Sequence, residues 1–430
     1  MKTKSVCSFE RADFRGWEAV YLRNGFMTLV AVPDIGGRVM AYNLGDYPYL
    51  FVDPDLAGKL FTAEENQGDG SLAAWKNYGG DKTWPSPQGW DNNDQWHGPP
   101  DPLLDSGRYR VQKLESNDQA ATLQMVSLPD PRTGVQITRQ VTLSQGGSRV
   151  TLELSFRNIT ERQIRWSIWD VVQLNAGRAL PDGGLAPETA CTVTAPMNPR
   201  SRFRRGFYVM FGNEDNPQWK IDAEKQLFMA QYMWEIGKIG LDSPAGWIAF
   251  SNSALGYAFA ERFSYFPDAE YPDQGATVEC WTVGRGKVAN LDYEKSQIYL
   301  METEVLSPFY SFQPGETHAC RIEWGACRCA GQVVEVNEAG CVHQPLAVEA
   351  VQDGLKLTGS FGVFDSGRLQ LTWKDRPGTL MGTISIGEVS PLEMVELANV
   401  FHPPSQATSL ELQVLADADG SLHTLAGCQL

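Results

Sequence analysis

From Val135 to Asn158 apolar and polar residues alternate with almost no break, and that period of two decides the class of fold. Val135, Ile137, Val141 and Leu143 share one face of the first run, and Val150, Leu152, Leu154 and Phe156 share one face of the second, against Thr151, Glu153, Ser155 and Arg157. Alternation of this kind marks a strand buried on one side and wet on the other, the pattern of antiparallel sheets. Gly146-Gly147 supplies a turn between the runs, so residues 134–158 are predicted to form a hairpin. Similar segments recur at 18–32, 107–127, 164–174, 227–240, 246–261, 275–290, 297–306 and 317–326, and no long amphipathic helix interrupts them. The expectation is an all-β chain of large stacked antiparallel sheets, not a parallel α/β core.

After Arg328 the aromatics thin out and shorter Val/Leu strands follow, as in Arg368–Lys374 and Leu410–Ala416. About a hundred residues of short strands and frequent turns fit a small immunoglobulin-like β-sandwich. A boundary near residue 330 is therefore expected, with domains over 1–330 and 331–430.

One stretch breaks the alternation. Residues 75–102 hold Trp75, Tyr78, Trp84, Trp90 and Trp96 with almost no aliphatics, and they are punctuated by Gly79-Gly80, Pro85, Pro87, Gly89 and Gly98-Pro99-Pro100. Glycine and proline at this density predict a long ordered loop, with neither helix nor central strand. Disordered segments are poor in aromatics, so the loop is expected to be ordered. Its rings stand among Asn77, Asp81, Lys82, Gln88, Asp91 and His97, and flat apolar faces beside amides and carboxylates suit a saccharide. A packed lid plugging the end of a sandwich accounts for the same residues.

Charge narrows the partners. Lys and Arg total 36 against 52 Asp and Glu, a net charge of −16, which lacks the basic footprint that nucleic acid or an anionic membrane requires. The N-terminal residues show no signal-peptide core, and no stretch reaches the ~20 apolar residues of a spanning helix. The eight cysteines are scattered, without paired zinc-ligand spacing, which favours reduced thiols and a cytoplasmic setting. No metal or other cofactor is expected.

Along residues 298–306, Ile298, Leu300, Glu302, Glu304 and Leu306 share a face, so two carboxylates stand side by side, about 7 Å apart at Cα. A like-charged neighbour raises the pKa of one of them, which readies a carboxyl for proton transfer near neutral pH. An edge strand with a solvated polar end would show the same spacing.

Leu300-Met301-Glu302-Thr303-Glu304, followed by Pro314-Gly315-Glu316 and a closing run to Trp324, resembles the C-terminal signature of the aldose 1-epimerases, or galactose mutarotases. In that family a Leu-Glu-Thr-Gln strand supplies the general base. Pro33-Asp34-Ile35-Gly36-Gly37-Arg38-Val39 resembles the superfamily's N-terminal strand-turn motif, and Trp96-His97-Gly98 is similar to a Leu-His-Gly segment whose histidine contacts the sugar. The resemblance covers about residues 15–328 and implies the mutarotase-like β-supersandwich. The run at 77–88 looks closer to an uncharacterised bacterial branch of that group.

One departure bears on mechanism. Where the family places a second histidine as general acid, the segment that looks equivalent, Trp166–Leu174, has Trp169, whose indole N–H donates but does not titrate. Asp170 is in phase with the apolar residues of its strand and is expected to pair with an inward Arg139, since an unpaired buried carboxylate is costly. The resemblance implies Glu302 and His97 as catalytic residues. The candidate sugar contacts are Arg38, Asn77, Tyr78, Lys82, Trp84, Gln88, Trp96, Arg139, Trp169 and Glu304. Three functions stay open on the sequence: acid/base chemistry at an anomeric centre, a polysaccharide lyase in which Lys82 or Arg139 neutralises a uronate and Tyr78 or His97 takes its α-proton, and a non-catalytic carbohydrate-binding module.

Overall fold

A computed structural model describes residues 6–67, 75–87, 102–288, 291–292 and 298–430. The predicted hairpin is present: Val135–Ser144 pairs antiparallel with Val150–Asn158, Leu143 opposite Val150 and Val135 opposite Asn158. Burial alternates residue by residue along both strands.

Among the described residues the hairpin belongs to a ten-stranded sheet that also holds Tyr257–Phe263 and Thr317–Arg328. A twelve-stranded sheet faces it. Its centre runs, strand beside strand, Arg38–Leu44, Asp81–Ser86, Ile164–Asn175, Leu300–Leu306, Val278–Thr282, Gly237–Leu241. One core joins the two sheets: Val39, Val172, Met301 and Val305 from the first meet Ile137, Leu152, Phe259 and Trp324 from the second. Because successive side chains alternate, a strand that sends Met301 and Val305 into this core must send Glu302 and Glu304 to the opposite face. The fold is the all-β antiparallel supersandwich expected, with a small β-sandwich after it.

That smaller sandwich is two four-stranded sheets spanning Glu335–Val336 to Leu422–Gln429, closed over Leu357, Phe361, Leu371, Trp373 and Leu412. It packs on the larger unit through a separate apolar cluster that includes Trp247, Ala258, Cys327, Cys341 and Phe364. Arg149 Nη2 bridges the same junction to Asp365 Oδ2 at 2.7 Å.

The segment 75–102 departs from expectation. Asp81–Ser86 is a strand, fully buried and central in the large sheet, not part of a loop. Pro85 lies opposite Ile168, whose N–H and C=O are both engaged on the other side, by Ser307 Oγ at 2.8 Å and by the Ser307 N–H at 2.9 Å. The position therefore asks no N–H of Pro85, and the usual penalty for proline in a ladder does not arise. Residues 88–101 lie outside the described residues.

The cysteines are free thiols. Among the described residues no group of three or more His, Cys, Asp or Glu is placed to hold a metal ion, and no helix is long and apolar enough to cross a membrane.

Candidate functional site

The outward face of the five central strands carries an unusual set of side chains for a sheet centre. Register sets them in rows. Lys82, Val171, Glu304, Glu279 and Gly240 are opposite one another across successive strands, and the neighbouring row holds Gln173, Glu302, Trp281 and Lys238. Trp84, Trp169 and Leu306 form the row beyond.

Two lysines reach into these rows from either side. Lys82 Nζ donates to Glu302 Oε1 at 3.3 Å, crossing above Val171, and Gln173 Nε2 donates to the same oxygen at 2.6 Å. Lys238 Nζ lies 2.7 Å from Glu279 Oε2 and 2.8 Å from Glu304 Oε2. Both ammoniums lie near indole rings, Lys82 4.5 Å from the centroid of Trp84 and Lys238 4.4 Å from that of Trp169, where the ring quadrupole attracts a cation. Gly240 clears space beside Glu279, since a Cβ there would fall 2.7 Å from the Tyr208 ring. Of the charged groups, Lys238 and Glu302 are the most accessible, with side chains 13% and 10% exposed, against 0% for Glu304 and 1% for Glu279.

Glu279 and Glu304 are directly opposed carboxylates, a destabilising arrangement unless neutralised. Burial pushes the Glu279 carboxyl well up, Lys238 pulling against it while Asp273 and Glu304 add to the rise. Glu304 is raised by the same burial, again opposed by Lys238. Burial alone would lower Lys238, but the two carboxylates outweigh it and hold the ammonium above its ordinary range. Lys82 goes the other way: burial lowers it further than Glu302 restores it.

The flanks are built by the 75–87 segment and a strained turn. Trp75 Nε1 donates to Asp105 Oδ2 at 2.9 Å, its ring 6.1 Å from that of Trp84. Arg38 is sealed in an ion pair with Asp105 and donates to the Gly79 carbonyl at 2.9 Å. Tyr78 is buried against Trp17, and Asn77 Oδ1 accepts from the Gly79 N–H at 3.4 Å. At the other end Asp273 and Gln274 both adopt left-handed backbone, φ +48° and +60°, a cost of about 1–3 kcal/mol each. The carbonyl of Asp273 accepts from Tyr208 Oη at 2.8 Å, and its carboxylate accepts from Ser86 Oγ at 3.1 Å.

Of the residues named from sequence, the fold therefore brings Lys82, Trp84, Trp169, Glu302 and Glu304 together on one face, with Arg38 adjoining Lys82. Tyr78 packs beside that face, with Trp17, Val30 and Met40 and with Arg38 5.9 Å from its ring. Arg139 lies inside the inter-sheet core, on the other side of the sheet. The pairing expected between Asp170 and Arg139 is corrected by the structure: Arg139 forms its ion pair with Asp81, and Asp170 Oδ1 accepts from Thr83 Oγ1 at 3.3 Å. Asp81 lies in the strand Asp81–Ser86, where a loop was expected, and a loop carries no parity to point it inward. Gln88, Trp96 and His97 lie outside the described residues. Three members were not anticipated, Lys238, Glu279 and Gln173. The available signal was Glu279 and Trp281 alternating with Val278 and Cys280 in a strand buried along most of its length.

Residues 18–327 match the family model described as a domain of unknown function, DUF4380. The chain belongs to this family. No curated protein matches the sequence. Among solved structures the DUF4380 chain is similar to a putative mutarotase from Salmonella typhimurium, at 9% identity and a TM-score of 0.48 over 76% of this chain and 95% of that one. It is also similar to a galactose mutarotase-like protein from Lactobacillus casei, at 11% identity and a TM-score of 0.45 over 72% and 99%. A TPR-domain containing protein from Parabacteroides distasonis matches at 12% identity and a TM-score of 0.44, the match covering 72% of this chain and 46% of that longer one.

Proposed function

We propose that this chain recognises a saccharide on the Lys82–Glu302–Glu304–Lys238 face and acts at its anomeric centre. One observation carries the reading. On that face Gln173 Oε1, Trp169 Nε1, Glu279 Oε1 and Glu304 Oε1 are buried with no hydrogen-bond partner among the described residues, as Asp81 Oδ1, Asp170 Oδ2 and Arg139 Nε are in the core, but on the outer face they adjoin the part-exposed Lys238 and Glu302, 13% and 10% exposed. Buried polar atoms are nearly always paired in a finished structure, so a cluster of donors and acceptors left over beside the rings of Trp84, Trp169 and Trp281 suits a ligand that has both many hydroxyls and flat C–H surfaces. Glu302 is the base: Lys82 and Gln173 both donate to its Oε1 and fix the carboxylate, which takes the proton of the anomeric hydroxyl. The sugar face then belongs to a domain over residues 1–330, with an immunoglobulin-like sandwich over 331–430.

Titration of the full chain with galactose and glucose should perturb tryptophan fluorescence. Glu302→Gln should keep that response and slow anomer interconversion, followed by polarimetry, by about 10²–10⁴-fold, the usual contribution of a general base. Absence of any fluorescence response would remove the sugar reading. Binding by wild-type protein that never accelerates interconversion would leave a binding module, and release of an ultraviolet-absorbing unsaturated uronate from a glycan would establish a lyase instead.

A further inference from the structure

We infer that Lys238 is the proton donor of this site and that the opposed pair Glu279 and Glu304 serves as its proton store. The inference rests on the proposed reading of the site and assigns the acid that Trp169 cannot be.

An ammonium has three N–H donors. Lys238 Nζ donates one to Glu304 Oε2 at 2.8 Å and turns a second side to Glu279 Oε2, 2.7 Å away in an ion pair without hydrogen-bond alignment. The third is left for the face on which Trp169 lies, with Nζ 4.4 Å from that indole. Lys238 is also the most exposed charged side chain of the set, at 13%, so it can meet a ligand where Glu279 and Glu304 cannot. Each of those carboxyls keeps an unpartnered Oε1 in an almost fully buried position. Two ionised carboxylates facing one ammonium without water would leave a net buried negative charge; one proton held between them removes it. The upward displacement of both carboxyls by burial agrees with that count.

The chemistry balances. As Glu302 takes the proton from the anomeric hydroxyl, the bond from C1 to the ring oxygen breaks, its electron pair goes to the ring oxygen, and C1 becomes the carbonyl carbon of the open chain. The ring oxygen takes a proton from Lys238, and the neutral carboxyl of the Glu279–Glu304 pair returns one to Nζ. Reclosure on the other face of C1 reverses every transfer, so no proton or electron is gained or lost in a cycle. An ammonium held above its ordinary range is a weak acid by itself; the simultaneous return of a proton from the carboxyl makes the pair, not the amine alone, the effective acid.

Lys238→Arg separates this role from a structural one, because a guanidinium keeps the charge and the carboxylate contacts but does not release a proton. With galactose and glucose as probes, the variant should keep the fluorescence response and a KM within a few-fold of wild type, while kcat falls by about 10²–10⁴-fold. A kcat within a few-fold of wild type overturns the inference, as does a His97→Ala variant that loses all activity while Lys238→Arg keeps it. A wild-type chain that accelerates neither sugar fails the anomeric reading itself, a different result. The proton store has its own readout: the neutral-carboxyl C=O absorption in the infrared spectrum at pH 7, to which the buried Asp170 and Glu261 also contribute, should lose intensity in Glu279→Gln or in Glu304→Gln. If both variants retain the full band, no proton is shared there and the inference falls, whatever the activity and whether or not Lys238→Arg folds.

Discussion

Two buried charged clusters occupy opposite faces of the same strands, and they differ in access. On the core side Arg139 holds Asp81, donates to the Gly37 carbonyl at 2.7 Å, and closes the space between the sheets. On the outer side, one residue along each strand, Lys82 and Lys238 hold Glu302, Glu279 and Glu304, and several polar atoms stay unmatched. Burial and ion pairing alone therefore do not identify a site. Nor do unmatched polar atoms, since Asp81 Oδ1, Arg139 Nε and Asp170 Oδ2 on the core side also lack partners among the described residues; what sets the outer cluster apart is access, the Lys238 and Glu302 side chains being 13% and 10% exposed against 0% for Arg139 and Asp81.

The comparison breaks most visibly if the two faces respond alike to mutation. Asp81→Asn takes from Arg139, 0% exposed, the only carboxylate ion-paired with it among the described residues, and removing one partner of such a pair costs about 3–5 kcal/mol. The urea midpoint should fall accordingly. Glu302→Gln removes the ion-pair partner of Lys82, but burial already holds that ammonium below its ordinary range so it can shed its proton, and the change should cost less stability while slowing turnover by about 10²–10⁴-fold; equal losses of stability would mean that the outer cluster is structural too.

A smaller effect sharpens the comparison through pH. Glu279, Glu304, Asp170 and Glu261 are all displaced upward, burial being the leading cause in each. A carboxyl that binds its proton more tightly when folded adds stability that is fully present below its ordinary value, 4.5 for glutamate, and that fades as pH rises through the displaced one. Unfolding temperature should decline from pH 5 towards pH 8, and less steeply in Glu279→Gln. A stability that climbs over that interval would contradict the assignment.

The smallest change distinguishes two neighbours within the core cluster. Burial and the Asp81 charge push the Asp170 carboxyl well up, and no ion pair to it is present among the described residues, so Asp170→Asn, which keeps the shape and breaks no ion pair, should shift stability by less than about 1 kcal/mol. Its effect should stand well below that of Asp81→Asn in the same urea titration.

Much of this was legible in the residues. Alternation predicted the hairpin at 134–158, and the same parity placed Glu302 beside Glu304 and sent Asp170 inward. The strand Asp81–Ser86 was not legible, because Pro85 reads as a breaker until the ladder shows that its position has no N–H to give. Lys238 was hidden for a different reason. Its partners Glu279 and Glu304 lie 41 and 66 residues along the chain, and nothing in Gly237–Leu241 marks it except an ammonium between glycines.

What the sequence determined by itself is the class of fold and the sharing of faces within each strand, because side chains alternate with a period of two wherever the backbone is extended. Which strands become neighbours, and in what register, only the tertiary structure decided. Lys82 meets Glu302 across 220 residues of chain, and slipping either strand by one residue would send one of them into the core. A charge pair depends on a separation of a few ångströms, whereas periodicity carries phase and no distance, so the site came into being only when the central strands were set side by side.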